Sequence, residues 1–241
     1  MRHGWREVWN ELHLHSKLTI IGTALLLSSG AVLFLALEWN QALGGFPWIN
    51  RVLAPIFYSV SCRTAGFNSV DVSGLSSATL FISILLMLVG AGSCSTAGGI
   101  KVSTVAMLVS HAATRFAGSK HVNIFRRTIP QPAIDRALAS TMIYLFVAGV
   151  GIMLLLVFDR KLEVGGDPQR HFLDVAFECV SALGTVGLST GVTPRLSDWG
   201  RIIIIGLMFL GRLGPITFFA ALARTTVKSS VEFANEEPLI G

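Results

Sequence analysis

Slid along itself by 121 residues, the chain falls on its own second half: Gly30 meets Gly151, Gly44-Gly45 meets Gly165-Gly166, and Pro47 meets Pro168. Further on, Thr64 meets Thr185, Gly66 meets Gly187, Leu75-Ser76 meets Leu196-Ser197, Leu86-Met87 meets Leu207-Met208, and Gly90 meets Gly211. Self-similarity at one spacing means a single supersecondary unit used twice, so whatever one half folds into, the other must fold into as well.

Each half places two long apolar runs around a shorter one. Residues 18–37, 72–100 and 137–158 carry no charge, and residues 202–223 carry only Arg212. About 20 apolar residues cross a hydrocarbon core of ~30 Å, so these four runs read as membrane spans. No small-residue cleavage site follows the first run, which argues against a removed signal peptide. Composition agrees, with 52% hydrophobic and 14% charged residues and a mean hydropathy of +0.64. Soluble domains carry roughly 25% charged residues, so an ordinary soluble enzyme is excluded. No nucleophile–base pair or metal-ligand spacing points to an enzyme either, and Cys62, Cys94 and Cys179 read as buried thiols. The net charge of +5 and pI of about 9.5 come from basic residues between the apolar runs, which suit a membrane face and its lipid rather than nucleic acid.

The shorter apolar pieces, 52–62 and 172–183, cannot cross and read as re-entrant helices. Each runs straight into a glycine-centred stretch, Arg63-Thr64-Ala65-Gly66-Phe67-Asn68 and Gly184-Thr185-Val186-Gly187-Leu188-Ser189. Irregular backbone at membrane depth survives only where protein or a water-filled path satisfies it. Such backbone presents carbonyl oxygens that replace the hydration shell of a small cation. Gly66 and Gly187 can take the positive φ that turns successive carbonyls to one axis, and Thr64 and Thr185 add a hydroxyl on the same edge.

The expected fold is an all-α membrane protein of two parallel helix–pore-loop–helix repeats, with four transmembrane helices and two re-entrant pore helices. Residues 1–16 form a cytoplasmic lead and 17–110 the first repeat, with an intramembrane Gly-rich loop at 90–100. Residues 111–134 form a basic cytoplasmic connector, 135–224 the second repeat and 225–241 a cytoplasmic tail. Segments 1–17, 111–136 and 224–241 hold ten Lys and Arg against six on the opposite side, which places both termini in the cytoplasm of a cell membrane. Glu38, Asp71, Asp159, Glu163, Asp167, Asp174 and Asp198 then gather outside, either as a mouth that concentrates cations or as solvated loop polarity.

Gly90 to Gly99 form a second irregular stretch. It is no phosphate-binding loop, because Ile100 separates Gly99 from Lys101. A plug in the permeation path and a tight helix-packing seam are the two readings. Arg212 lies deep in the last span, where its charge must face water, an acid or exposed carbonyls. The repeat sets Arg212 opposite Ala91, so it is expected beside the Gly-rich loop as one gate, with Pro215 beyond it inviting a kink. Glu178 is expected to pair with Arg63 or Arg212.

The stretches SCRTAGFNSVDVSGLS, GSCSTAGGIK, FECVSALGTVGLSTG and LMFLGRLGPITF, with the terminal EEPLIG, resemble the Trk/Ktr superfamily of potassium transporters, its Ktr-like branch above all. The resemblance covers nearly the whole chain. It implies a potassium-translocating subunit with filter residues Thr64, Ala65, Gly66 and Phe67, and Thr185, Val186, Gly187 and Leu188. It implies a gate made of Gly90, Gly92, Gly98, Gly99, Lys101 and Arg212. It also implies a cytoplasmic RCK-type nucleotide-binding regulator, and sodium or protons as coupling ion in different branches; no cofactor resides in the chain. The family carries four pore units, and this chain matches the last two, so an N-terminal half or a second copy is expected to complete the filter. A non-conducting structural or regulatory subunit is the rival reading. Two departures from the family pattern stand out, Gly92-Ser93-Cys94 in the loop and Cys62 before Arg63.

Overall fold

Among residues 9, 11–92, 97–119, 122–125, 127–159 and 168–214, which the computed structural model describes, two helices are long and apolar enough to cross a membrane. They are α1, Leu14–Glu38, of 25 residues, and α5, Gln131–Phe158, of 28 residues. α5 starts behind Pro130 with Pro132 in its first turn, where a missing N–H costs nothing. Each long helix is followed by a shorter one, α2 at Trp48–Ser61 or α6 at Pro168–Leu183, and then by an irregular loop. A single 3-10 turn, Val72–Gly74 or Thr193–Arg195, leads into α3 at Ser77–Leu88 or α7 at Asp198–Leu213. Ser76 and Ser197 cap these helices by accepting the N–H groups of Thr79 and Gly200.

The uncharged run at 72–100 is not one helix. α3 stops at Leu88, with Val89 extended, and α4 begins at Val102 behind an extended Lys101 and continues to Phe116. Val89 and Ile100 pair as an isolated parallel bridge, with Gly90 N–H donating to Ile100 O and Ile100 N–H to Leu88 O, both at 2.9 Å. Clustered glycines and small polar residues lower helix propensity enough that hydropathy alone cannot hold a helix through them. Both pore helices also start earlier than their apolar runs, at Trp48 and Pro168 rather than at 52 and 172. Asn50, Arg51, Gln169 and Arg170 interrupt a hydropathy pattern without interrupting helical hydrogen bonding.

Between α4 and α5 a two-residue hairpin pairs Asn123–Ile124 with Arg127–Thr128. Its flanks are anchored by Val122 and Ile129, buried with Ile134 of α5. Arg115, Arg127 and Arg136 are exposed, whereas Lys120 and Arg126 lie outside the described residues.

Equivalent contacts hold each unit together. A Cβ on Gly30 would meet Ser59 Oγ at 2.5 Å and Leu86 Cδ1 at 2.9 Å, and a Cβ on Gly151 would meet Cys179 Sγ and Leu207 Cδ1 at 2.9 Å. Ser59 donates to Leu27 O at 2.9 Å, and Cys179 to Ala148 O at 3.5 Å. The long helices thus keep the 121-residue offset, Leu27 to Ala148, but the pore helices are offset by 120, Ser59 to Cys179. The gapless alignment misses this step, because one extra residue separates α6 from its loop. α6 is the inner element: every residue from Asp174 to Leu183 is buried, with Phe177 seated against Leu80, Ile84 and Met87 of α3. Cys62 and Cys179 are buried free thiols, and Cys94 lies outside the described residues.

Candidate functional site

The two loops after the pore helices carry the same unusual backbone. Thr64 and Gly66 have φ of 76° and 73°, and Thr185 and Gly187 have φ of 54° and 93°. A β-branched residue rarely enters this left-handed region, where sterics cost roughly 1–2 kcal/mol per residue, so both threonines are held there by their surroundings. In both loops left-handed residues thus stand two apart, at Thr64 and Gly66 and at Thr185 and Gly187. The positive φ of the glycines is legible in the sequence; that of the threonines is not, since nothing in the residue type announces it.

Hydroxyls on the pore helices tie down the far end of each loop. Ser61 donates to Phe67 O at 2.5 Å, and Ser181 to Leu188 O at 2.6 Å. The loops also touch: a Cβ on Gly66 would lie 2.3 Å from Val186 O and 3.3 Å from Gly187 Cα. Only glycine permits that approach. All eight expected filter residues therefore lie in two adjoining loops. Their side chains differ in setting, with Val186 and Leu188 buried in the core of the first unit and Ala65 and Phe67 exposed.

The Gly-rich segment meets both loops. Arg63 Nη2 donates to Gly90 O at 3.0 Å, and Arg63 Nη1 to Thr23 O at 3.4 Å. At the other end, Gly98 N–H donates to Thr185 Oγ1 at 2.9 Å, and Lys101 Nζ donates to Ala97 O. A Cβ on Gly98 would meet Gly184 O at 2.8 Å, and one on Gly90 would meet Gly98 O at 1.9 Å. Gly99 takes a φ of 80°, and a Cβ on Gly92 would meet Thr19 Cγ2 at 2.9 Å. Residues 93–96 lie outside the described residues. Loop carbonyls thus accept from Arg63, which is buried, and from Lys101, which is half-buried, whereas the sequence pattern points to Arg212 for this role. The sequence signal for Arg63 was its place directly before Thr64 on a charge-poor segment.

Arg212 lines a cleft of ~580 Å³ together with Glu178, Thr185, Gly187 and Ser189. A Cβ on its neighbour Gly211 would lie 2.0 Å from Leu183 O, so α7 presses on the end of α6 that Gly98 also approaches. Pro215 lies outside the described residues. Glu178 does not take Arg63 as partner; its carboxylate accepts the Ser189, Thr190 and Thr193 hydroxyls and the Thr190 N–H.

Three of the seven acids expected at an outer mouth are something else. Glu38, Asp159 and Asp174 are buried, neither facing outer solvent nor merely solvated. Glu38 accepts Ser76 N–H at 3.0 Å and the Thr79 hydroxyl at 2.5 Å, and Asp159 accepts Ser197 N–H at 2.7 Å. Each carboxylate ending a long helix thus seats the N-terminus of the second span in its unit, where helix dipole and free N–H groups favour an anion. The 121-residue offset pairs Glu38 with Asp159 and Ser76 with Ser197, a signal the sequence held. Asp174 pairs with Arg170 at 3.4 Å, and Arg170 reaches back to the carbonyls of Ser73 and Leu75. Asp71 and Asp198 remain exposed, and hydrogen bonds from the Ser73 hydroxyl and N–H hold the Asp71 carboxyl below the usual carboxylate range. Glu163 and Asp167 lie outside the described residues. Among the described residues no group of His, Cys, Asp or Glu is arranged to hold a metal.

The family model TrkH, described as a cation transport protein, matches residues 8–230. The chain is 41% identical over 225 residues to the Ktr system potassium uptake protein B of Vibrio alginolyticus, covering 92% of this chain and 47% of that protein. It is 38% identical over 230 residues to the protein of the same description from Bacillus subtilis, covering 95% of this chain and 49% of that one. The chain thus spans about half the length of these curated relatives. The crystal structure of the potassium transporter TrkH from Vibrio parahaemolyticus superposes with a TM-score of 0.70 at 19% identity, over 91% of this chain and 46% of that one. That likeness concerns the fold.

Proposed function

Since the chain belongs to the Trk/Ktr family of membrane cation transport proteins, a family of transporters and not of enzymes, we propose that it forms part of a potassium uptake pathway. Its two pore loops supply half of a carbonyl selectivity filter. The observation that carries this reading is the repeated φ pattern at Thr64-Gly66 and Thr185-Gly187 in two loops packed against each other. Backbone strained identically at two sites, beneath two re-entrant helices, has no evident packing purpose that an ordinary turn would not serve.

In this reading the chain is two parallel helix–pore–helix units with both termini cytoplasmic. Two further units, from an N-terminal half or a second copy, close the filter. The loop at 90–99, with Lys101 and Arg212, is the gate beneath it, and the exposed basic residues of the connector face lipid headgroups or an RCK-type nucleotide-binding regulator. Potassium is the cargo, with sodium or protons as coupling ion.

Rubidium and sodium flux into vesicles carrying the assembled transporter tests the filter. Gly66→Ser and Gly187→Ser should each lower the rubidium-to-sodium ratio, and an unchanged ratio in both variants overturns the assignment. Flux from this chain alone, compared with flux after adding an N-terminal half, separates a conducting subunit from a structural one.

A further inference from the structure

One buried carboxylate serves the second filter loop and has no counterpart at the first among the described residues. Glu178 and Ser181 stand one turn apart on α6, and both reach the chain beyond Gly187. Ser181 donates to Leu188 O at 2.6 Å. Glu178 Oε1 accepts Ser189 Oγ at 2.5 Å, Thr190 N–H at 2.9 Å and Thr190 Oγ1 at 3.4 Å, and its Oε2 accepts Thr193 Oγ1 at 2.7 Å. The carboxylate is 5% exposed, and it forms part of the cleft wall beside Gly187. At the first loop, the 120-residue register of the pore helices puts Tyr58 at this position, and its hydroxyl pairs with Ser83 Oγ at 2.9 Å. Phe57, opposite Glu178 in the 121-residue offset, is exposed.

We propose that Glu178 is a positioning residue for the second filter loop, holding residues 189–193 so that the Gly187 and Leu188 carbonyls keep the geometry that discriminates potassium from sodium. The inference rests on reading the loops at Gly66 and Gly187 as a filter. Hydrogen bonds to an ionised acceptor are shorter and stronger than neutral ones, and four of them converge on this one side chain. Removing the acceptor strands hydroxyl and amide donors in a buried site, which the loop can relieve only by moving. Filter selectivity depends on the spacing and field of the carbonyls, so a loop that moves changes selectivity before it changes fold. The first loop instead is held by Ser61 and the neighbouring Arg63, and among the described residues no carboxylate accepts from it.

The test is the ratio of rubidium to sodium flux through the assembled transporter in proteoliposomes, normalised to folded protein. Glu178→Gln places an amide NH2 among groups that all donate, and should lower the ratio roughly fivefold or more. Thr193→Val removes one of the four bonds and should lower it less, in the same direction. The double variant should fall no further than Glu178→Gln alone, because both changes loosen one strand. Gly187→Ser in the same assay checks the filter reading separately. If Gly187→Ser lowers the ratio while Glu178→Gln and Thr193→Val leave it unchanged, Glu178 serves folding only and the inference is overturned with the filter intact. If Gly187→Ser also leaves the ratio unchanged, the filter reading falls and the inference with it. Should Glu178→Gln yield no folded protein, Thr193→Val and Ser189→Ala decide, and an unchanged ratio in both overturns the proposal.

Discussion

Ala176, Phe177 and Val180 on α6 are 5%, 0% and 2% exposed, whereas Ile56, Phe57 and Val60 at the same register positions of α2 are 50%, 45% and 43% exposed. The residue types are alike; the neighbours differ. α6 is covered by α3 of the preceding unit, and its loop buries Val186 and Leu188 in the same cluster. α2 has no preceding unit within this chain, so Ala65 and Phe67 of its loop stay exposed with it. At the other end, Ile205 and Met208 of α7, equivalent to Ile84 and Met87, are exposed at 64% and 50%. The contrast teaches that α6 is completed by α3 of the unit before it, a cover that no described element gives α2. One such junction is present here, and its two halves lie open at the edges.

The most forceful way to break the comparison is to truncate its matching aromatics. Phe177→Ala should destabilise the chain by ~3–5 kcal/mol, as expected for an emptied buried site, and thermal unfolding in detergent reads it directly. Phe57→Ala should change the isolated chain little and cost a comparable amount only once further units cover α2. Equal losses in the isolated chain would mean the two helices are not differently covered.

A second contrast separates packed from open faces of α7. Gly211→Ala drives a methyl to within 2.0 Å of Leu183 O and should cost about 1–3 kcal/mol as α7 is forced off α6. Gly206, with nothing within 4 Å of an added Cβ, should accept alanine with no loss and a gain of up to ~1 kcal/mol. Detergent melting curves of the pair check both the direction and the gap.

The carboxylate seats sharpen the comparison between units. Glu38→Gln should cost about 1–3 kcal/mol. Asp159→Asn should cost less, since among the described residues Glu38 takes three donors and Asp159 the Ser197 N–H alone. The reverse order, measured by the same unfolding experiment, would contradict the hydrogen-bond pattern. The smallest effect is expected at the exposed pair Arg201–Asp198, 3.5 Å apart, where Asp198→Asn should move stability by no more than ~0.5 kcal/mol.

Much of this molecule is written in its residue pattern, because apolar period, proline and glycine act locally. The 121-residue repeat, the long helices, the shorter helix after each and the two loops at Gly66 and Gly187 all follow from such local signals. The break after Leu88 was half legible: its glycines were visible, but a hydropathy run reads straight through them, and only the hydrogen bonds divide α3 from α4. The pore-helix starts were obscured by Arg51 and Arg170, whose side chains reach loop carbonyls instead of ending a helix.

What tertiary structure alone decided is the partner of each buried charge. A charge pattern states that Arg63 and Glu178 need compensation, since burying them bare is prohibitive, but it sets Glu38 and Asp159 at an outer mouth and gives no sign of their burial. It does not state which donors or carbonyls arrive from elements dozens of residues away. Arg63 finds Gly90, Glu38 finds Ser76, and Glu178 finds the chain just past Gly187. The one-residue slip of the pore helices belongs to the same class, because Ser59 and Cys179 take their register from carbonyls on a neighbouring helix. Local sequence sets which elements form and where the chain must bend; three-dimensional contact sets which polar groups meet, because those partners are distant in sequence and compete on geometry alone.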